Sequence, residues 1–173
     1  MKVTLRPIDF NALNEFAAMV KWYQDEEIRH LFTVDFNKGP TLPQYPEELR
    51  QMKRDNHTNT TYIIEVDGVM VGDASIDTGF EMLMGPKEGT GWLSICIGEK
   101  AYRGLGLGYE VMKQLEDFCE DKGLKRLELG VFAYNTRGIH FYEKLGYKRF
   151  CTVEKFTWYN GGWHDDLRME KYL

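Results

Sequence analysis

In the stretch AYRGLGLGYEV, Arg103 is followed by glycines at Gly104, Gly106 and Gly108. An apolar run, GWLSICIG, precedes this stretch, and a helix-patterned run, YEVMKQLEDFCEDKG, follows it. Glycine inside a strand or helix costs roughly 0.5–1 kcal/mol, so bare backbone concentrated at a strand-to-helix junction answers a specific demand. The first amides of a helix have no intrahelical partner, and the helix dipole adds partial positive charge there. Successive exposed N–H groups grip an anion, and missing side chains let phosphate oxygens approach. Arg103 adds a permanent charge. The junction reads as a phosphate site built on the amides of Gly104, Leu105, Gly106, Leu107 and Gly108. It requires a fold in which a strand runs directly into a helix start.

The other elements follow from periodicity. KVTLRPI is a short strand, and NALNEFAAMVKWY is a helix with Leu13, Phe16, Ala17 and Val20 on one face. DEEIRHLF is a further turn or two capped by Asp25, and NKGPTLPQYP is a loop that hands Pro46 to the first turn of another helix. Two β-rich runs flank Asp67-Gly68, a pair suited to a type I′ hairpin. DTGFEMLMGPKEGT is irregular, a loop placed to lie beside a site. After the glycine stretch, Val111, Met112, Leu115, Phe118 and Cys119 share a helix face that ends near Gly123. KRLELGVFA alternates as a strand, TRGIHFYEKLG is a short helix stopped at Gly146, and a last hairpin turns at NGG. Residues 1–173 thus form a single mixed α/β domain.

Composition narrows the functional classes. At 173 residues and 43% hydrophobic, the chain is globular with a sizeable core. No apolar run reaches the roughly 18 residues of a membrane helix, and MKVTLRPIDF lacks the apolar segment of a signal peptide. Cys96, Cys119 and Cys151 are too few and too scattered for a disulfide framework. These features favour a cytoplasmic protein without a membrane partner. A net charge of −5 disfavours nucleic acid and suits a cationic partner. His30, His57, His140 and His164 show no metal-ligand spacing, so no metal is expected.

Glycine spacing selects the phosphate ligand. A P-loop needs Lys-Ser or Lys-Thr after its last glycine, and none follows. A dinucleotide fingerprint counted from Gly104 or Gly106 requires its third glycine at Tyr109 or Val111. What fits is R-x-x-G-x-G at Arg103, Gly106 and Gly108. This resembles the acetyl-CoA pyrophosphate loop of the GNAT superfamily of N-acetyltransferases. NTRGIHFYEKLGYKRF resembles the later signature of that family at Asn135, Phe141, Tyr142, Lys144, Gly146 and Tyr147, with Gly138 standing where the family has alanine. The opening and closing segments look like the branch of ribosomal-protein, aminoglycoside and polyamine acetyltransferases.

The resemblance implies a mostly antiparallel mixed sheet that splays after its fourth strand, flanked by helices. It implies direct acetyl transfer from acetyl-CoA to a primary amine of a small cationic molecule or a peptide N-terminus. Ile95 and Ile97 would offer main-chain groups to the pantetheine arm, Asn135 would contact that arm, and Tyr142 would protonate the departing thiolate. Asn135 also suits a helix N-cap. The family often places a glutamate early in the fourth strand, where this chain has Trp92. The base stays open among Glu81, Asp73, Asp77, Glu26 and a chain of waters. A catalytically idle acyl-CoA-binding or sensor domain is the competing reading. The acids of QDEEIRH, WHDDLR and DASID, among them Glu26 and Asp166, are expected to attract the cationic acceptor. The C-terminal strands could supply a homodimer edge.

Overall fold

The computed structural model describes residues 1–173. Its framework is one seven-stranded sheet in the order β1-β2-β3-β4-β5-β7-β6. β1 (Val3–Pro7), β2 (Asn59–Val66), β3 (Val69–Asp77) and β4 (Thr90–Ile97) form one antiparallel half. β5 (Arg126–Phe132), β7 (Gly162–Tyr172) and β6 (Lys148–Tyr159) form the other. The halves join through β4 and β5, the single parallel pair. Parallel neighbours need a crossover, and helix α3 (Leu107–Asp121) supplies it.

The hairpins turn where the sequence places glycine after a small polar residue. Asp67 and Gly68 have φ of 49° and 82°, and Asn160 and Gly161 have 49° and 81°. Positive φ at both central positions is the type I′ geometry that matches strand twist.

Helices cover both faces. α3 and α4 (Thr136–Lys144) pack on the larger core cluster, which includes Val111, Leu115, Leu129, Ile139 and Met169. α1 (Leu13–Tyr23) and α2 (Pro46–Asp55) cover the opposite face around Phe16, Met19, Trp22 and Leu49. The α1 stripe differs from the expected one. Leu13 and Ala17 are exposed, and the buried positions are Glu15, Phe16, Met19, Val20 and Trp22. Both stripes obey helical periodicity, and the tertiary contacts select the one that carries the larger side chains. The DEEIRHLF segment is not an α-helix. It closes into a 3-10 turn at Arg29–Leu31, while the Asp25 carboxylate caps the Glu27 amide at 2.9 Å.

The β3–β4 loop is fastened to the sheet by buried charges. Glu128 is fully buried and accepts from the Met84 and Gly85 amides at 2.8 and 3.2 Å. It pairs with Arg126 at 2.7 Å and with Arg168 at 3.4 Å. Arg168 in turn holds the Met82 carbonyl at 2.8 Å and Asp166 at 2.6 Å. The alternation of KRLELGVFA is therefore real, but its polar face is an interior one.

Candidate functional site

The sheet opens where the chain's chemistry is concentrated. β4 and β5 pair only from Thr90 to Trp92 against Arg126 to Glu128. From Leu93 onward β4 has no neighbour on that side, so a strand edge is left free inside the sheet. An extended ligand can pair with such an edge as an added strand does. Ile95 and Ile97 lie on this stretch, their side chains packed on the larger core cluster. The Ile97 carbonyl is already engaged, accepting from Arg103 Nε at 3.1 Å.

At the open end of the slot the chain passes through a 3-10 turn, Lys100–Tyr102, and enters α3. Gly104 and Gly106 have φ of 77° and 81°, conformations that disfavour a side chain, and Gly106 is the N-cap of α3. Gly108 serves another purpose: a Cβ there would stand 3.0 Å from Phe141 Cζ, so it sets the approach of α3 to α4. None of the five amides from Gly104 to Gly108 donates a hydrogen bond within the protein. This unbonded run is the feature the glycine spacing led us to expect.

Arg103 takes a different direction from the expected one. Its guanidinium turns back from the loop to Asp25 (2.6 Å), Glu27 (3.3 Å) and the Gly98 carbonyl. That bond holds the Asp25 carboxyl below its ordinary value. Lys100 pairs with Glu27. The acids of QDEEIRH therefore have internal cationic partners, which lowers the charge they can offer a ligand. Beside them is a cavity of about 510 Å³ bordered by Trp22, Glu99, Lys100 and Arg103.

The signature residues of α4 divide into two roles. Asn135 caps the helix, its Oδ1 accepting from the Gly138 amide at 2.9 Å. A Cβ on Gly138 would lie 2.6 Å from Asn135 Nδ2, so the glycine in place of alanine gives the cap its room. Tyr142 is half-buried, its ring 5.9 Å from Tyr147 in edge-to-face contact. Burial alone pushes its hydroxyl up to about 12, so it stays a proton donor through neutral pH. Tyr147 is bonded to Glu116 at 3.0 Å and is not free to donate elsewhere.

The opposite face of β4 presents Trp92, Ser94 and Cys96. Register sets Ser75 across from Ser94, Asp73 across from Cys96 and Asp77 across from Trp92. The Ser75 and Ser94 hydroxyls are bonded at 2.7 Å, and Ser94 is exposed. Asp73 is buried, with Oδ2 accepting from the Tyr23 hydroxyl at 2.7 Å. Asp166 is buried as well, over Gly130 and paired with Arg168, so it is not the solvated attractor expected of it. An aromatic group joins the Arg29–Leu31 3-10 turn to the end of β6, with His30 stacked on Tyr159 at 4.8 Å and Tyr134 at 4.5 Å from Tyr159. Sequence reasoning missed it, since its members lie on three separate segments.

These features have known counterparts. The family model described as acetyltransferase (GNAT) family matches residues 17–147. The chain belongs to the GNAT acetyltransferase family. That family is one of N-acetyltransferases, and it uses acetyl-CoA. Among curated relatives, the thialysine N-epsilon-acetyltransferase of Bos taurus is 33% identical over 63 residues, covering 36% of this chain and 33% of the relative. The chain thus matches about a third of that relative's length. Among solved structures, the ribosomal-protein-alanine N-acetyltransferase of Brucella melitensis superposes with a TM-score of 0.76 at 22% identity, over 98% of this chain and 99% of that one. Mutant forms of the spermidine/spermine N-acetyltransferase of Vibrio cholerae give 0.76 at 15% identity, over 98% and 93%. These likenesses establish the fold, including the splayed sheet. No helix of this family member is long and apolar enough to cross a membrane.

Proposed function

We propose that residues 1–173 act as one domain that transfers the acetyl group of acetyl-CoA directly to a primary amine. The acceptor is a small cationic molecule or a peptide N-terminus. The observation that carries this reading is the run of unbonded amides from Gly104 to Gly108 beside the free edge of β4. The amides suit a pyrophosphate, and the edge at Ile95 suits the amide-bearing pantetheine arm. Ile97 contributes through its N–H, since Arg103 occupies its carbonyl. Arg103 acts by locking the strand end to Asp25 and Glu27 rather than by touching phosphate.

Acyl transfer builds negative charge on the thioester oxygen, and a fixed N–H on the β4 edge is the group to stabilise it. Tyr142 then protonates the leaving thiolate. Asn135 acts as a cap that fixes the start of α4 and so the bearing of Tyr142. Names of relatives with thialysine, spermidine and ribosomal-protein substrates support an amine acceptor.

The test is thiol release from acetyl-CoA across a panel of polyamines, amino acids and peptides. Turnover with a cationic amine is the expected result. Tight binding of acetyl-CoA with no turnover on any amine would identify an acyl-CoA-binding module instead.

A further inference from the structure

A protonated amine cannot attack a thioester, so transfer to an ammonium-bearing acceptor needs a group that takes a proton. Trp92 begins the relevant stretch of β4, and that strand has no acid between Thr90 and Ile97. We propose that Asp73, on the neighbouring strand β3, takes this proton. The inference rests on the acetyl-transfer reading above.

Asp73 stands apart from every other carboxylate near the slot. It is 4% exposed, and its Oδ1 is buried without a hydrogen-bond partner. A buried carboxylate oxygen left unpaired bears the full cost of its desolvation, which an incoming proton relieves. Asp77 has no such opening, since Thr58, Gly79 and Asn56 occupy its oxygens at 2.7, 2.9 and 3.1 Å. Asp166 is paired with Arg168 at 2.6 Å. Glu81 is exposed, and the Glu26 side chain is 84% exposed.

Register supplies the geometry. Asp73 faces Cys96 and is therefore diagonal to the exposed Ser94. Diagonal neighbours across an antiparallel ladder lie about 7–8 Å apart at the backbone and closer at their side chains, and one water with two hydrogen bonds spans about 5.6 Å between polar atoms. An amine above Ser94 is within reach of Asp73 by that route.

The groups packed around Asp73 leave it as the acceptor. Tyr23, from α1, donates to Oδ2, and burial holds its hydroxyl protonated far above neutrality. Burial also raises the Cys96 thiol of β4 well above its ordinary value. Lys53, from α2, donates its ammonium to Thr61 Oγ1 at 3.0 Å, and burial depresses it. Thr61 donates onward to Asn59 Oδ1 at 3.0 Å, and Asn59 Nδ2 donates to Ser75 at 3.4 Å. That chain delivers donors toward Ser94 and passes through an amide, so it cannot carry a proton away. Burial raises the Asp73 carboxyl, against the Lys53 charge and the Tyr23 bond. Its proton affinity thereby moves toward that of a base working near neutral pH.

The step balances. The ammonium N–H breaks and an O–H forms on Asp73, directly or through the water. The freed electron pair attacks the thioester carbon. The carbon–sulfur bond breaks, and the thiolate takes the Tyr142 proton. The acylated nitrogen, which still carries two hydrogens and a positive charge, gives its second proton to solvent. Tyr142 regains a proton from solvent and Asp73 releases its own there, so the net yield is one proton per turnover.

The experiment pairs ethylamine, an ammonium ion at neutral pH, with 2,2,2-trifluoroethylamine, which is uncharged there. Wild type and Asp73→Asn are compared by kcat/KM across pH, with acetyl-CoA affinity by calorimetry as a check on folding. In wild type, kcat/KM for ethylamine should rise along an acid limb. Asp73→Asn should lose that limb and fall about 10²–10⁴-fold, with a loss on trifluoroethylamine at least tenfold smaller. Equal losses on both amines, or an unchanged profile, would overturn the assignment. If Asp73→Asn does not fold, Tyr23→Phe decides. Removing a donor from the carboxylate should move the acid limb to higher pH, and an unmoved limb would overturn the assignment. Wild type that transfers to neither amine would overturn the acetyl-transfer reading, and this proposal with it.

Discussion

At Tyr142 burial acts without any charged neighbour, and the result is a phenol that stays protonated up to about 12. Tyr142→Phe keeps the ring packing against Phe141 and Tyr147 and removes only the donor. Its kcat should fall by about 10²–10⁴, with acetyl-CoA affinity and Tm near wild type. Unchanged turnover would reduce Tyr142 to a packing residue. Asp73 makes a second prediction that needs no substrate. Its carboxyl is raised in the folded state, so the native protein binds this proton more tightly than the unfolded chain. That contribution is full below the unfolded value of about 3.9 and is lost as pH rises through the folded value. The Tm of Asp73→Asn should gain on wild type as pH climbs from about 4. A difference constant with pH would contradict the burial of this charge. The sequence placed Asp73 among four candidate acids and could not choose, because the choice depends on which oxygen is left unpaired. What was legible is the polar alternation of Asp73, Ser75 and Asp77 along one face of β3.

The elements themselves were legible wherever local chemistry dictates them. Both hairpins, the start of α2 at Pro46 and the stops at Gly123 and Gly146 follow from single residues. The glycine loop was legible as a run of free amides at a helix start, but not the separate reasons for its glycines. Gly104 and Gly106 serve backbone conformation, and Gly108 serves the contact with Phe141. The direction of Arg103 was not legible, since its partners lie about 80 residues away in sequence on a segment without regular periodicity. The clamp on the β3–β4 loop was hidden for the same reason. It yields a prediction of its own: Glu128→Ala leaves the buried Arg126 and Arg168 without their shared partner. Breaking a buried pair this way costs about 3–5 kcal/mol, readable by urea unfolding. A loss under about 1 kcal/mol would mean that the arginines find other partners.

Across the whole molecule, the expected dimer edge is blunted. β6 is the outer strand, and it exposes Lys148, Arg149, Glu154 and Lys155 around a register shift between Val153 and Thr157. Charges and bulges of this kind oppose edge-to-edge pairing. The net charge of −5 still favours a cationic acceptor. However, Asp25 and Glu27 are paired with Arg103, and Asp166 is paired with Arg168. Under the acetyl-transfer proposal, attraction falls to exposed acids such as Glu26, which meets Arg29 at 3.5 Å but keeps its side chain 84% exposed, and whose field is screened within about 8 Å at physiological salt. For a polycationic amine, kcat/KM should drop between low and high salt, and Glu26→Gln should flatten that slope while Asp166→Asn should not. A flat slope in wild type would remove electrostatic capture from the mechanism.

The claim on which the rest depends is that the amides from Gly104 to Gly108 hold the pyrophosphate of acetyl-CoA. Gly106 is a poor place to test it, since its φ of 81° strains any side chain. Leu105 sits in the same run and is 50% exposed, so opposite charges can be placed there without disturbing the core. Calorimetric titration of acetyl-CoA into wild type, Leu105→Lys and Leu105→Glu is the direct measurement. We expect affinity to be highest for Leu105→Lys, intermediate for wild type and lowest for Leu105→Glu, with the spread narrowing as salt is raised. Equal affinity in all three proteins, or no binding to wild type, would contradict the assignment.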